Sequence, residues 1–236
     1  MPVRPDLVAA IVDLDGTLVH TLGDFSAALA AAHAELGLRA VAATDVERMV
    51  GKGSEHLVRS ALAAAGAGED RYAAAWEAYQ RHYAQVNGRF APVYGGVEAG
   101  LRLLRSRGLR LACVTNKPTA FARELLARKH LDGFFEEVFG GDAFAHKKPH
   151  PEPLLRACDA LAAEPARTLV IGDSSNDAAA ARAAGCPVVL VTYGYNHGEP
   201  VRTVDADGFV GSLAELGAWL PAPVADVRPD GRAALP

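Results

Sequence analysis

Residues 7–18 read LVAAIVDLDGTL, a run of apolar residues that stops abruptly at two acids and a glycine. No alternation with polar residues interrupts residues 7–12, which is how a strand buried on both faces reads, and such strands belong to parallel sheets. Asp13 and Asp15 then stand one residue apart directly after a buried strand. Were the strand to continue, they would share a face, but Gly16 indicates that the chain is already turning, so Asp15 presents its carbonyl and side chain differently from Asp13. Taken alone, the stretch also reads as a strand-ending Asp-Gly turn with two solvated acids.

Working outward, similar runs occur at residues 109–115 (LRLACVT), 134–140 (FFEEVFG), 168–172 (TLVIG) and 187–192 (PVVLVT), mostly separated by helical stretches. Strands alternating with helices specify an α/β fold, a Rossmann-like, doubly wound parallel sheet covered on both sides. Between the first two strands lie about 90 residues, where a crossover needs about a dozen. Residues 22–87 are rich in Ala, Leu and Glu and break at Gly37, at Gly51 to Gly53 and at Gly66 to Gly68. This pattern predicts an inserted bundle of about four helices. The expected organisation is a core domain of residues 1–20 and 90–220, a small helical cap of residues 21–89, and a proline-rich tail of residues 221–236 without assigned function.

Composition narrows the function. The chain has 236 residues, half of them hydrophobic, and a formal net charge of −4. There is no basic excess to neutralise a nucleic-acid backbone or an anionic membrane, so neither partner is expected. Cys113, Cys158 and Cys186 lack metal-ligand spacing and read as reduced core residues. No stretch has the length of a membrane span and the N-terminus lacks signal-peptide order, so the expected compartment is the cytoplasm.

Three later strand ends carry chemistry: Thr115-Asn116, then Lys148-Pro149, then Asp173-Ser174-Ser175-Asn176-Asp177. Singly these are a strand terminus, a surface lysine and a helix cap with a first-turn acid. In a parallel sheet, however, all strand carboxyl ends lie on one edge, where ligands bind near the reversal of strand order. The groups are therefore expected to converge with Asp13 and Asp15.

DLDGTLV (13–19), VTNK (114–117), KKPHP (147–151) and GDSSND (172–177) together resemble the four motifs of the haloacid dehalogenase superfamily, in particular its phosphatases with a helical cap between the first and second motifs. GGDAFAHKKPHPEPLL, IGDSSNDAAAARAAGCP and VTYGYNHGEP are most similar to the members that remove phosphate from 2-phosphoglycolate. One departure is His20, where those members usually carry an acid.

The resemblance implies an aspartyl-phosphate mechanism. Asp13 is the implied nucleophile and Asp15 the general acid and base. Thr115 and the Asn116 N–H are the implied phosphate ligands, and Lys148 neutralises both the nucleophile and the phosphate. Lys148 is preferred to Lys147 because it directly precedes Pro149. The implied cofactor is one Mg²⁺ held by Asp13, the Asp15 carbonyl and Asp173, with Asp177 just outside its ligands, orienting a water or Lys148.

In the cap, the glycines flanking Lys52 allow close approach, and Lys52 is a candidate for a second substrate anion or simply a solvated turn lysine. His20 reads as packing or substrate contact. His146 and His150 flank the lysine loop but lack a third metal ligand. The expected partner is a small phosphorylated metabolite, 2-phosphoglycolate first, acted on by a monomer or homodimer. Competing readings are another sugar-phosphate phosphatase, a sugar-phosphate mutase retaining all four motifs, a phosphonate hydrolase using Lys52 as an imine former, and a non-catalytic binding module. Asp15 opposes the phosphonate hydrolase, whose relatives carry alanine there.

Overall fold

The computed structural model describes residues 6–220, so the tail at 221–236 lies outside the described residues. Six strands form one parallel sheet: β1 (Ala9–Val12), β2 (Arg110–Val114), β3 (Glu137–Phe139), β4 (Thr168–Gly172), β5 (Val188–Val191) and β6 (Gly208–Val210). Their order is β3-β2-β1-β4-β5-β6, and each neighbouring pair is parallel. Strand order reverses beside β1, between β1 and β4. This is the crevice where an open α/β sheet binds ligands.

Alternate residues of each strand feed different cores. Ala10, Val12, Leu111, Cys113, Leu169 and Ile171 join one apolar cluster. It is covered by α5 (Val97–Ser106), α6 (Thr119–Arg128) and the turns at 213–219. Ala9, Ile11, Ala112, Val114 and Val170 join the other, under α7 (Glu152–Ala160) and α8 (Ser175–Ala184). A strand with apolar residues on both faces can be stable only between two such layers. Register then aligns the strand ends, since Val12 lies opposite Cys113 on one side and Ile171 on the other. The next residues along, Asp13, Val114–Thr115 and Gly172–Asp173, therefore emerge together at the same edge.

β6 was not anticipated. It is three residues long, begins at a glycine and sits at the sheet edge, so it offers neither an apolar run nor alternation. The stretch 134–140 is a strand only over Glu137–Phe139, with a short 3₁₀ turn at Asp132–Phe134. Cys113, Cys158 and Cys186 are free and buried. Cys158 and Cys186, far apart in sequence, lie side by side, and the hydrogen bond between them lowers the Cys158 thiol to about 7.

Four α-helices intervene between β1 and α5: α1 (Leu22–Glu35), α2 (Ala43–Met49), α3 (Ser54–Ala64) and α4 (Tyr72–Val86). They share an apolar cluster of their own, built on Phe25, Leu29, Leu57, Leu62, Tyr79 and Tyr83 and joined by Tyr195. Gly51 and Gly53 turn the chain from α2 into α3 at φ of +104° and +92°, a region that a side chain disfavours. The two connections to the sheet are laced together: His20 N donates to Pro92 O at 2.9 Å and Tyr94 N to Leu18 O at 3.1 Å. The buried Asp24 carboxylate closes the junction by accepting from Gly88 N at 2.6 Å and Phe90 N at 2.7 Å. No helix among the described residues is long and apolar enough to cross a membrane.

Candidate active site

Asp13 leaves β1 with its N–H donated to Ile171 O at 2.9 Å and its side chain buried. The chain then turns at Gly16, whose φ is +85°. A β-carbon there would lie 2.2 Å from Asp173 Oδ2, so only glycine lets the first loop approach the loop after β4 this closely. Asp173 is held from two sides, accepting from Thr17 Oγ1 at 3.4 Å and from Tyr195 N at 2.7 Å.

Lys148 lies between the acids. Its ammonium donates at 2.7 Å to Asp13 Oδ1, to Val114 O and to Asp177 Oδ1. Three donors thus meet three acceptors, which a buried ammonium requires. Lys147, the neighbouring candidate, pairs with Glu55 at 3.0 Å near the surface and is not buried among the acids. Asp177 belongs to the capping box that starts α8: its Oδ2 accepts from Ser174 Oγ at 2.7 Å and from Ser174 N at 3.2 Å. One carboxylate therefore satisfies the helix N-terminus and orients Lys148.

Thr115 and Asn116 end β2 beside Asp13, both buried. The Asn116 amide donates to Lys148 O at 2.8 Å and to Gly51 O at 2.9 Å. Asn176 donates to the same Gly51 carbonyl at 3.1 Å. Two core amides thus clamp one carbonyl of the α2–α3 turn, a direct link between the helical layer and the site.

Burial dominates the electrostatics. It pushes the Asp13 carboxyl up to about 7, against the attraction of Lys148 and with the added repulsion of Asp177 and Asp15. Asp173 is driven well above the usual carboxylate range by burial and then by Asp177 and Asp13. Burial alone would lower Lys148, but the attraction of Asp13 and Asp177 outweighs it and the ammonium is raised. Carboxylate oxygens of Asp13, Asp173 and Asp177 lie within 4.8 Å of one another. Buried, mutually repelling hard oxygen donors fit a small divalent cation, and Mg²⁺ matches the donor type. Asp13 and Asp173 are the side chains that would hold it. Asp177 has both oxygens engaged by Lys148 and Ser174, and the Asp15 side chain is engaged elsewhere.

That partner is Lys117, which the sequence reading did not single out. Its ammonium donates to Asp15 Oδ1 at 3.0 Å and Oδ2 at 3.4 Å. It also stands 4.5 Å from the centre of the Phe25 ring and 4.7 Å from that of Tyr83. A lysine three residues past a strand is ordinarily solvated, and the aromatic rings that bury this one come from α1 and α4, distant in sequence.

Asp13, Asp15, Thr115, Lys117, Lys148 and Asp177 line one cavity of about 30 Å³, roofed by Phe25, Val50, Gly51, Gly53, Ser54 and Leu57. Lys52 is not among the lining residues. Its neighbours Gly51 and Gly53 face the cavity while its own side chain is exposed, because a turn that aims its backbone inward aims the intervening residue outward. His20 stacks on Tyr94 at 5.4 Å and meets Tyr195 Oη at 3.1 Å, a packing position at the junction of the connections. His146 and His150 stack at 4.0 Å, and the third ligating group missing from the sequence reading is Glu152, 2.8 Å from His146. That cluster is largely exposed and separate from the cavity.

Residues 7–185 match the model of the haloacid dehalogenase-like hydrolase family. The chain is 45% identical over 213 residues to a plasmid-encoded phosphoglycolate phosphatase of Cupriavidus necator, covering 90% of this chain and 92% of that one. It is 41% identical over 210 residues to the phosphoglycolate phosphatase of Thiobacillus denitrificans, with 88% and 92% covered. A crystal structure described as a predicted phosphoglycolate phosphatase from Haemophilus somnus superposes with a TM-score of 0.85 at 30% identity, covering 90% of this chain and 97% of that one.

Proposed function

The chain belongs to the haloacid dehalogenase-like hydrolases, and from that membership we propose that it is a Mg²⁺-dependent phosphomonoesterase acting through an aspartyl-phosphate, with 2-phosphoglycolate as its substrate. The observation that carries this reading is the triple contact of Lys148, which holds Asp13 ready beside the phosphate ligands Thr115 and Asn116. Residues 1–20 and 90–220 act as the catalytic core and residues 21–89 as its cap. The relatives' substrate supports the choice of 2-phosphoglycolate. Lack of a membrane-crossing helix among the described residues and the free cysteines support a cytoplasmic setting.

A carboxylate approaching a phosphate dianion meets repulsion of about 4 kcal/mol for each pair of unit charges 4 Å apart at an effective dielectric of about 20. Lys148 offsets part of it from 2.7 Å. Asp13, the Asp15 carbonyl and Asp173 are the groups that would hold Mg²⁺, which when bound would supply further positive charge against this repulsion. The Thr115 hydroxyl and Asn116 N–H donate to the phosphoryl oxygens.

Asp13 forms a bond to phosphorus as the ester P–O bond breaks, and the leaving oxygen takes that electron pair together with a proton from Asp15. In the second half Asp15 accepts a proton from water. The water oxygen bonds to phosphorus, the P–O bond to Asp13 breaks, and phosphate and a free carboxylate remain. Cap closure keeps other water away during the first half.

The test is phosphate release with and without Mg²⁺ from 2-phosphoglycolate, sugar phosphates, nucleotides and pyrophosphate. The expected result is Mg²⁺-dependent release with the highest kcat/KM for 2-phosphoglycolate. Release from no ester overturns the phosphatase reading. Efficient release from others but not 2-phosphoglycolate overturns the substrate alone.

A further inference from the structure

The cavity holds two ammonium groups with different hydrogen-bonding loads. Lys148 is saturated by three acceptors at 2.7 Å. Lys117 is as deeply buried, with only 1% of its side chain exposed, yet among the described residues its only oxygen partner is the Asp15 carboxylate. An ammonium has three N–H donors, and the remaining surroundings of this one are the faces of Phe25 and Tyr83. Tyr83 Oη is itself buried without a hydrogen-bond partner. A desolvated cation with donor capacity to spare, lining the cavity that holds Asp13 and Asp15, is a site built for an additional anion.

Its place relative to the reaction says which anion. Asp15 must touch the oxygen that leaves phosphorus, and Lys117 touches both oxygens of Asp15. Lys117 therefore stands one group beyond the leaving oxygen, in the same cavity as Asp13 and Lys148, within reach of the organic part of the ester. In 2-phosphoglycolate the carboxylate carbon is two bonds from that oxygen.

On the reading that this chain is a phosphomonoesterase, we propose that Lys117 is its specificity determinant, forming an ion pair with a carboxylate carried next to the ester oxygen. The substrate class is thus phosphate esters of 2-hydroxy acids, and the role sought in Lys52 falls to a residue of the core. Phe25 and Tyr83 bring the cap into this recognition. Closing the helices over Lys117 removes competing water from the ion pair, so the pair forms fully only with the cap shut.

The experiment compares 2-phosphoglycolate with 2-hydroxyethyl phosphate, which replaces the carboxylate by a neutral hydroxymethyl group, in the intact enzyme and in Lys117→Met and Lys117→Gln. The intact enzyme is expected to favour 2-phosphoglycolate in kcat/KM by at least about 100-fold, the scale of one buried ion pair. In the variants this preference should fall to within about fivefold of unity, mainly through KM for 2-phosphoglycolate. A shared fall in kcat on both esters, from disturbing Asp15, leaves the ratio readable.

Equal preference in the intact enzyme overturns the proposal without any variant. Loss of both activities in the same proportion, with the ratio unchanged, also overturns it and leaves Lys117 as a positioning residue for Asp15. Hydrolysis of neither ester by the intact enzyme overturns the phosphatase reading instead, so the two failures are distinct.

Discussion

Replacing Asp13 by asparagine should destroy activity and yet stabilise the metal-free protein. Burial, reinforced by Asp177 and Asp15 against the pull of Lys148, raises the Asp13 carboxyl from 3.8 to about 7. Because the folded value lies above the unfolded one, the native state binds the extra proton between those values, and stability declines as pH climbs through that window. The difference of about 3 pH units corresponds to roughly 4 kcal/mol, all of it lost by pH 8. The neutral amide of the Asp13→Asn variant has no proton to lose and escapes this decline. Urea unfolding in a chelator should therefore find Asp13→Asn more stable than the parent by about 4 kcal/mol at pH 8 and by about 2 kcal/mol at pH 5. Mg²⁺ should narrow or reverse the order, since a ligand at about 100 times its dissociation constant stabilises the parent by about 2.7 kcal/mol. A variant no more stable than the parent at pH 8, or a difference that ignores pH, refutes the view that ionised Asp13 is held at a cost which a cation relieves.

Further outcomes follow from the same contacts. Lys148→Met leaves Asp13 and Asp177 buried without their shared cation, so stability at pH 7 should drop by about 3–5 kcal/mol and kcat by about 1000-fold or more, read by urea unfolding and phosphate release. Gly16→Ala places a β-carbon against Asp173, and isothermal titration should show Mg²⁺ affinity at least about tenfold weaker in a folded protein. Asp24→Asn disturbs the carboxylate that accepts from Gly88 N and Phe90 N, and should lower the unfolding free energy by about 1–3 kcal/mol while active-site titration by Mg²⁺ stays unchanged.

The sheet was legible because its central strands are buried on both faces, which leaves uninterrupted apolar runs. β1 and β4 announce themselves this way, whereas β6 at the edge, with three residues, does not. The gathering of Asp13, Thr115 and Asp173 at one edge follows from parallel strands, whereas Lys148 is brought in by the loop between β3 and α7. Choosing between Lys147 and Lys148 needed the Lys-Pro pattern, and the structure separates them by burial: one pairs with Glu55 near the surface, the other lies among buried acids. Lys117 was illegible because nothing local distinguishes it from a solvated lysine; what buries it is a pair of rings from helices inserted before it in the chain. Of the two readings of Lys52, contact and solvated turn lysine, its exposed side chain fits the second. Its flanking glycines correctly mark a close approach, but it is the backbone of the turn, through the Gly51 carbonyl, that meets Asn116 and Asn176.

The central claim is that Asp13 becomes covalently phosphorylated. The most direct measurement is a single turnover of Asp15→Asn with 2-phosphoglycolate and Mg²⁺, quenched in acid, digested and read by mass spectrometry. The account predicts a phosphoryl group on the peptide carrying Asp13, formed slowly because Asp15 is also the acid of the first half and retained because no base activates the water of the second, and none in the double variant that also has Asp13→Asn. A phosphoryl group on another side chain, or turnover that persists in the double variant, would contradict it.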